Sequence, residues 1–274
     1  MKTKKLLSLY IALLFVVVLG MCILLFTQKK SIPAERDFEQ IRQEGVLRMI
    51  TEYNQTGYYI NGDTIEGFQY ELAQAISELT GLEVEIHLEM SLSKSFEALS
   101  GQDCDIIARN IPVTTELKDL YLFTDPTVLN KQVLVQRNAS NNDGLPPIRN
   151  QLDLAQKTLY IPQNSPALLR LRNLEQEIGD TIYIREEPLY ASEQLISMVA
   201  HGDIDYAVCD QQIALRAKQQ LPEIDIQTDI SFTQLQSWVV RKDSPVLCDS
   251  LNTWFRRIKE NGLYNQIYTR YYKN

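Results

Sequence analysis

The sequence predicts an α/β protein built as two similar lobes with a cleft between them, preceded by an N-terminal transmembrane helix. Three observations predict it. The first is the stretch Gly101 to Leu117, closing with Phe123-Thr-Asp-Pro126. It reads as a turn, a short apolar strand from Asp105 to Ala108, and then polar residues where that strand ends. Apolar residues between turn signals suit a strand buried on both faces. In open α/β sheets a ligand sits beyond the carboxyl ends of the strands, which places Arg109 and Asn110 at a cleft.

The second observation is an echo of that stretch. Phe96-Glu-Ala-Leu99, Gly101 and Asp105-Ile-Ile-Ala108 return as Leu195-Ile-Ser-Met-Val199, Gly202 and Asp205-Tyr-Ala-Val208. Each copy runs from an apolar helix through a glycine turn into a four-residue strand. The copies place Asn110 and Asp210 at equivalent strand ends, and lobes of this kind close around a ligand.

The third is the start of the chain. Leu6 to Phe26 is apolar apart from Ser8, Tyr10 and Gly20. A stretch of about twenty residues is long enough to span a bilayer as a helix. Lys2, Lys4 and Lys5 precede it, which favours a cytoplasmic N-terminus and an exported remainder. The expected location is thus a single-pass membrane protein facing the periplasm or cell exterior. Leu19-Gly-Met-Cys22 offers an alternative tether, a lipoprotein signal lipidated at Cys22, although Met21 replaces the usual small residue.

Composition narrows the function. The formal net charge is −8, and the leader lysines account for three positive charges, leaving the exported part near −11. That excludes nucleic acid and an anionic membrane surface as partners of the exported part. His87 and His201 stand alone, and Cys104, Cys209 and Cys248 fit no zinc spacing, so neither metal nor cofactor is expected. Three cysteines allow at most one disulfide and leave a free thiol.

The elements follow in order. A helix from Asp37 or Phe38 stops at Gly45, and Val46 to Thr51 is a strand. Glu52 to Tyr59 is a loop at that strand's carboxyl end, and it contributes Glu52, Tyr53 and Tyr58 as candidate ligand contacts. Asn61-Gly62 makes a tight turn. Gly67 to Gly81 holds a helix with Leu72, Ile76 and Leu79 on one face, and Val84 to Leu88 is the next strand. Gln132 to Gln136 is a crossing strand, and Asn138 to Asn150 is a loop. Thr158 to Ile161 is a strand ending at Pro162-Gln-Asn-Ser-Pro166, where Ser165 caps the next helix or faces an anionic ligand group. Thr181 to Ile184 is a strand, Gln211 to Gln219 a helix and Leu235 to Val240 a returning strand. One helix, Leu251 to Tyr272, closes the chain. The division expected is 1–30 anchor, 31–130 first lobe, 131–230 second lobe and 231–274 return to the first. No phosphate loop, HExxH or GxSxG motif is present, and no carboxylate pair stands out as acid and base.

In this order, Gly67-Phe-x-x-Glu-Leu-Ala, Asp105-Ile-Ile-Ala, Thr114-Thr-Glu116, Phe123-Thr-Asp-Pro126 and Gly202-Asp-Ile-Asp205 resemble the bacterial extracytoplasmic solute-binding proteins of family 3. Leu47 to Ala73 is most similar to the non-catalytic domain of the membrane-bound lytic murein transglycosylase F type. The resemblance implies a type 2 periplasmic-binding-protein-like fold with two crossing strands, not an enzyme. It places Arg109 and Asn110 beside ligand, Ser165 near an anion-binding turn and Asp210 against a ligand ammonium. The family's carboxylate-gripping arginine falls at Leu117, and a hydroxyl position at Pro112. Leu cannot replace a bidentate Arg, so free α-amino acids are unexpected as ligands unless Arg109 substitutes. The implied partner is a small polar ligand, an amino-acid derivative or a peptide such as one from peptidoglycan. A permease would be the protein partner in uptake. The alternative is a non-catalytic regulator acting on a cell-wall hydrolase.

Overall fold

The computed structural model describes residues 36–273, and Asp37 opens the first helix, α1 (Phe38–Glu44). The Asp37 carboxylate accepts the Phe38 N–H at 2.7 Å, and the Gln40 side chain accepts the Asp37 N–H at 3.3 Å. This reciprocal cap satisfies donors that a helix start leaves orphaned. Gly45, at φ 76°, ends α1 and releases the chain into β1 (Val46–Thr51). The expected anchor, Leu6 to Phe26, and Cys22 lie outside the described residues. Among the described residues, no helix is long and apolar enough to cross a membrane.

The first sheet has the order β4 (Glu83–Leu88), β1, β5 (Ile106–Pro112), β13 (Gln234–Arg241) and β6 (Tyr121–Phe123), with β7 (Val128–Asn130) also pairing with β13. The second has the order β10 (Tyr183–Glu187), β9 (Thr158–Pro162), β11 (Ala207–Asp210), β8 (Gln132–Arg137) and β12 (Ile224–Asp229). Both follow one plan. Three strands are parallel, and the next two along the order run antiparallel to their neighbours. A small hairpin, β2 (Tyr59–Asn61) and β3 (Thr64–Glu66), extends the first lobe.

The chain crosses between lobes twice, from β7 to β8 and from β12 back to β13. The crossings are tied together: Ile230 N–H donates to the Gln132 carbonyl at 2.8 Å, and Gln132 N–H to Ser231 Oγ at 2.9 Å. Each sheet is covered by its own helices. In the first lobe α2 (Phe68–Thr80), α8 (Pro245–Glu260) and α9 (Leu263–Tyr272) pack Leu72, Ile76, Leu251, Phe255 and Tyr271 onto Leu47, Met49 and Ile106. In the second, α6 (Ser192–His201) and α7 (Gln211–Gln220) pack Leu195, Ile196, Val199 and Ala214 onto Val133 and Val135. On the other face of that sheet, α5 (Ala167–Ile178) packs Leu171 and Leu174 against Leu159 and Ile161.

Three departures from the sequence reading have physical causes. The strand from Asp105 does not end at Ala108: β13 pairs with it through Ser237↔Ile111 and Gln236↔Pro112, so Arg109 and Asn110 lie inside β5. The single closing helix is two, because Gly262 takes φ 83° between α8 and α9. The strand expected from Thr181 begins at Tyr183, as the partner of Thr158. Cys104, Cys209 and Cys248 are all free and buried, within the limit of at most one disulfide that the sequence sets.

Candidate ligand-binding cleft

Residues of both lobes enclose a cavity of about 400 Å³. Of the residues singled out in the sequence, Glu52, Arg109, Asn110, Ser165 and Asp210 line it. Glu52 follows β1, Arg109 and Asn110 sit on β5, and Asp210 ends β11 while opening α7. Tyr53 and Tyr58 do not line it. The Tyr53 backbone N–H meets Met90 Sδ at 3.4 Å with its ring exposed, and Tyr58 packs edge-on against Tyr70 at 5.7 Å.

Arg109 is buried, and its charge is already matched. The guanidinium pairs with the Glu52 carboxylate and reaches the Glu89 and Met90 carbonyls, each at 3.4 Å. The guanidinium is thus engaged by acceptors of the protein itself while lining the cavity. Leu117, in α4 (Thr115–Leu120), is absent from the cavity wall and packs against the cluster of Ile50, Leu99, Ile107, Ile111 and Val239. Asn110 is also engaged: its Nδ2 donates to the Tyr272 hydroxyl, and its Oδ1 accepts from Gln69 Nε2, both at 2.9 Å. One N–H and one lone pair of its amide remain for other use.

Ser165 lines the cavity from the turn that precedes α5. Ser165 Oγ accepts the Ala167 N–H at 3.2 Å, and the Ser165 carbonyl accepts Leu168 N–H at 3.0 Å. Asn164 N–H is taken at 3.0 Å by the Glu186 carboxylate. The Glu186 carboxylate thus holds the turn that precedes α5, whose own first N–H groups begin at Ala167.

Asp210 stands in the opposite position. Its carboxylate accepts from the neutral Gln132 amide and, among the described residues, is paired with no cation. Burial first, and then the negative charge of Glu52, push its pKa from 3.8 to about 7, against the pull of Gln132 and Arg109. Glu193, at the start of α6, is likewise raised, by burial and then by Glu52, while the Gln55 N–H lowers it. Sequence reasoning missed Gln132 and Glu193. Neither stands in a motif: Gln132 faces Asp210 through the pairing of β8 with β11, and Glu193 meets Gln55 across the two lobes. The outer wall includes Met90, Leu189, Tyr190 and Lys94, all exposed. Among the described residues, no cluster of three or more His, Cys, Asp or Glu could hold a metal ion.

The family model of the bacterial extracellular solute-binding proteins, family 3, matches residues 47–274. The chain belongs to that family. As a family 3 protein it is 32% identical over 235 residues to the membrane-bound lytic murein transglycosylase F of Desulfosudis oleivorans, covering 85% of this chain and 50% of that protein. The chain thus spans about half the length of this curated relative. An ancestral arginine-binding protein bound to arginine superposes with a TM-score of 0.73 at 23% identity, covering 83% of this chain and 98% of the other. Holo ArgBP from T. maritima gives a TM-score of 0.69 at 21% identity, covering 81% and 94%. These likenesses establish the two-lobe periplasmic-binding-protein-like fold.

Proposed function

We propose that this family 3 protein is a membrane-tethered, extracytoplasmic binding module that traps a small ligand bearing a positively charged group, for uptake or sensing. The observation that carries the reading is the unequal matching of charge in the cavity. The buried cation, Arg109, is paired with Glu52, and the turn N–H of Asn164 with Glu186, whereas among the described residues the Asp210 carboxylate meets a neutral amide and no cation. A ligand ammonium would supply the missing partner, and burying that pair would reward charge complementarity.

The same matching disfavours a free α-carboxylate. A carboxylate buried without its guanidinium costs several kcal/mol, against roughly 8 kcal/mol for a micromolar complex. Amino-acid derivatives with a blocked carboxyl, and peptides, fit better. Similarity to transglycosylase F supports a second reading, in which the ligand derives from peptidoglycan and the protein regulates a cell-wall enzyme. In either reading the chain binds rather than catalyses.

Calorimetry with the full chain in detergent micelles tests this, using free amino acids, the corresponding carboxamides and peptidoglycan stem peptides. Carboxamides or peptides should bind, and free acids should bind weakly or not at all. Binding of a free amino acid as tight as that of its carboxamide would overturn the reading.

A further inference from the structure

Two contacts join the lobes through residues that do not line the cavity. In the first, the Glu193 carboxylate of α6 accepts the backbone N–H of Gln55 at 2.8 Å. In the second, Arg216 of α7 donates through Nη2 to the Arg270 carbonyl at 3.3 Å, with its guanidinium 5.1 Å from the centre of the Tyr271 ring. We propose that Glu193 and Arg216 are positioning residues, a two-point latch that holds the lobes in this arrangement and carries the state of the cleft to the last turn of α9.

The elements on each side are rigid. Helices α6 and α7 are set into one apolar cluster by Leu195, Ile196, Val199, Ile213 and Ala214, so Glu193 and Arg216 move together. Their acceptors belong to the first lobe. Tyr271 is buried in that lobe's core, and the loop carrying Gln55 is pinned by Phe68 N–H to the Thr56 carbonyl at 2.8 Å. Each contact therefore exists in only one arrangement of the lobes. Both are chemically strong for their size. A carboxylate on an N–H is a charge-assisted hydrogen bond. A guanidinium on a C-terminal carbonyl satisfies a group the helix leaves orphaned, and the ring face adds attraction to the cation.

The placement of Arg216 gives the latch its consequence. It lies on α7, the helix that Asp210 opens, so whatever fixes Asp210 also fixes Arg216. Its acceptor turn is touched a second time, by Asn110 of the cavity wall through the Tyr272 hydroxyl. The end of α9 is thus held from both lobes at once. The latch does not depend on which ligand the cleft takes, and its failure would leave that reading standing.

Hydrogen exchange on the full chain in micelles, with no ligand added, tests the proposal through crossed effects. Glu193→Ala removes the acceptor of Gln55, so its diagnostic reading is at Arg270–Tyr272. Arg216→Ala is read at Gln55. Each should raise exchange at the other's site by at least about fivefold, the low end of ordinary coupling between sites. Arg216→Lys, which keeps the charge but loses the planar fork, should fall between wild type and Arg216→Ala. Core amides of β1 and β8 serve as the control for folding. If Arg216→Ala raises exchange there too, Arg216→Lys and Glu193→Ala carry the decision. Exchange that changes only beside each substituted residue would overturn the latch.

Discussion

Asp210→Asn should make this protein more stable at neutral and alkaline pH while damaging its binding. The carboxyl pKa rises from 3.8 to about 7 on folding, because burial and Glu52 both oppose its charge. A carboxyl that holds its proton more tightly when folded loses stability as pH rises between those two values, and the loss is complete above the folded pKa. A rise of that size corresponds to about 4 kcal/mol, which solvent screening of this half-buried group reduces to about 2 kcal/mol. Asparagine preserves the shape and can still accept from Gln132, but it carries no charge to desolvate. For a domain of this size about 2 kcal/mol is worth roughly 4–8 °C in Tm. Thermal unfolding of both proteins across about pH 4 to 9 would show the gap opening up to about pH 7 and then staying constant. A gap independent of pH, or a variant no more stable at high pH, would refute the account of Asp210. The same substitution should weaken a cationic ligand by about 2–5 kcal/mol, a trade of stability for function.

Three further outcomes are expected. Glu52→Gln leaves the buried Arg109 guanidinium without its counter-charge and should lower stability by about 2 kcal/mol, below the cost for a fully buried pair; an unchanged denaturant midpoint would count against the pairing. Gly67→Ala should prevent normal folding or cost more than about 4 kcal/mol, because its Cβ would lie 2.2 Å from the Gly57 carbonyl oxygen at a φ of 134°. Wild-type thermal unfolding of that variant would show the approach to be looser than described. The full chain should stay in the membrane fraction through salt washing; a soluble mature form would contradict the tether, and loss of retention in Cys22→Ala would assign it to lipidation.

Much of the architecture was legible because its signals are local. Gly45 and Gly81 stop their helices where the sequence places the stops, and Asp105 and Asp205 introduce matching strands in two matching sheets. The length of β5 was not legible, since Ile111 and Pro112 pair with residues more than a hundred positions later. Gly262 was visible but was outweighed by the apolar face running from Trp254 to Ile267. In the cleft, residue type identified Arg109 and Asp210 as cavity-facing, but no sequence pattern says which charges are already matched. The Arg109–Glu52 pair spans 57 residues and the Glu193–Gln55 contact 138, so tertiary closure decides both.

The fully buried Trp238 donates its indole N–H to Gln69 Oε1 at 2.6 Å, and Gln69 in turn donates to Asn110 on the cavity wall at 2.9 Å. Two hydrogen bonds therefore separate an intrinsic fluorophore from the space a ligand would fill. The sequence holds 2 tryptophans, and the other, Trp254, packs edge-on against Phe38 on a helix of the lobe's outer layer. A ligand that turned the Asn110 amide would alter the polarity around the Trp238 ring and shift its emission. Trp238 emission is thus the signal in which such a turn of Asn110 would be read, without label or knowledge of the ligand.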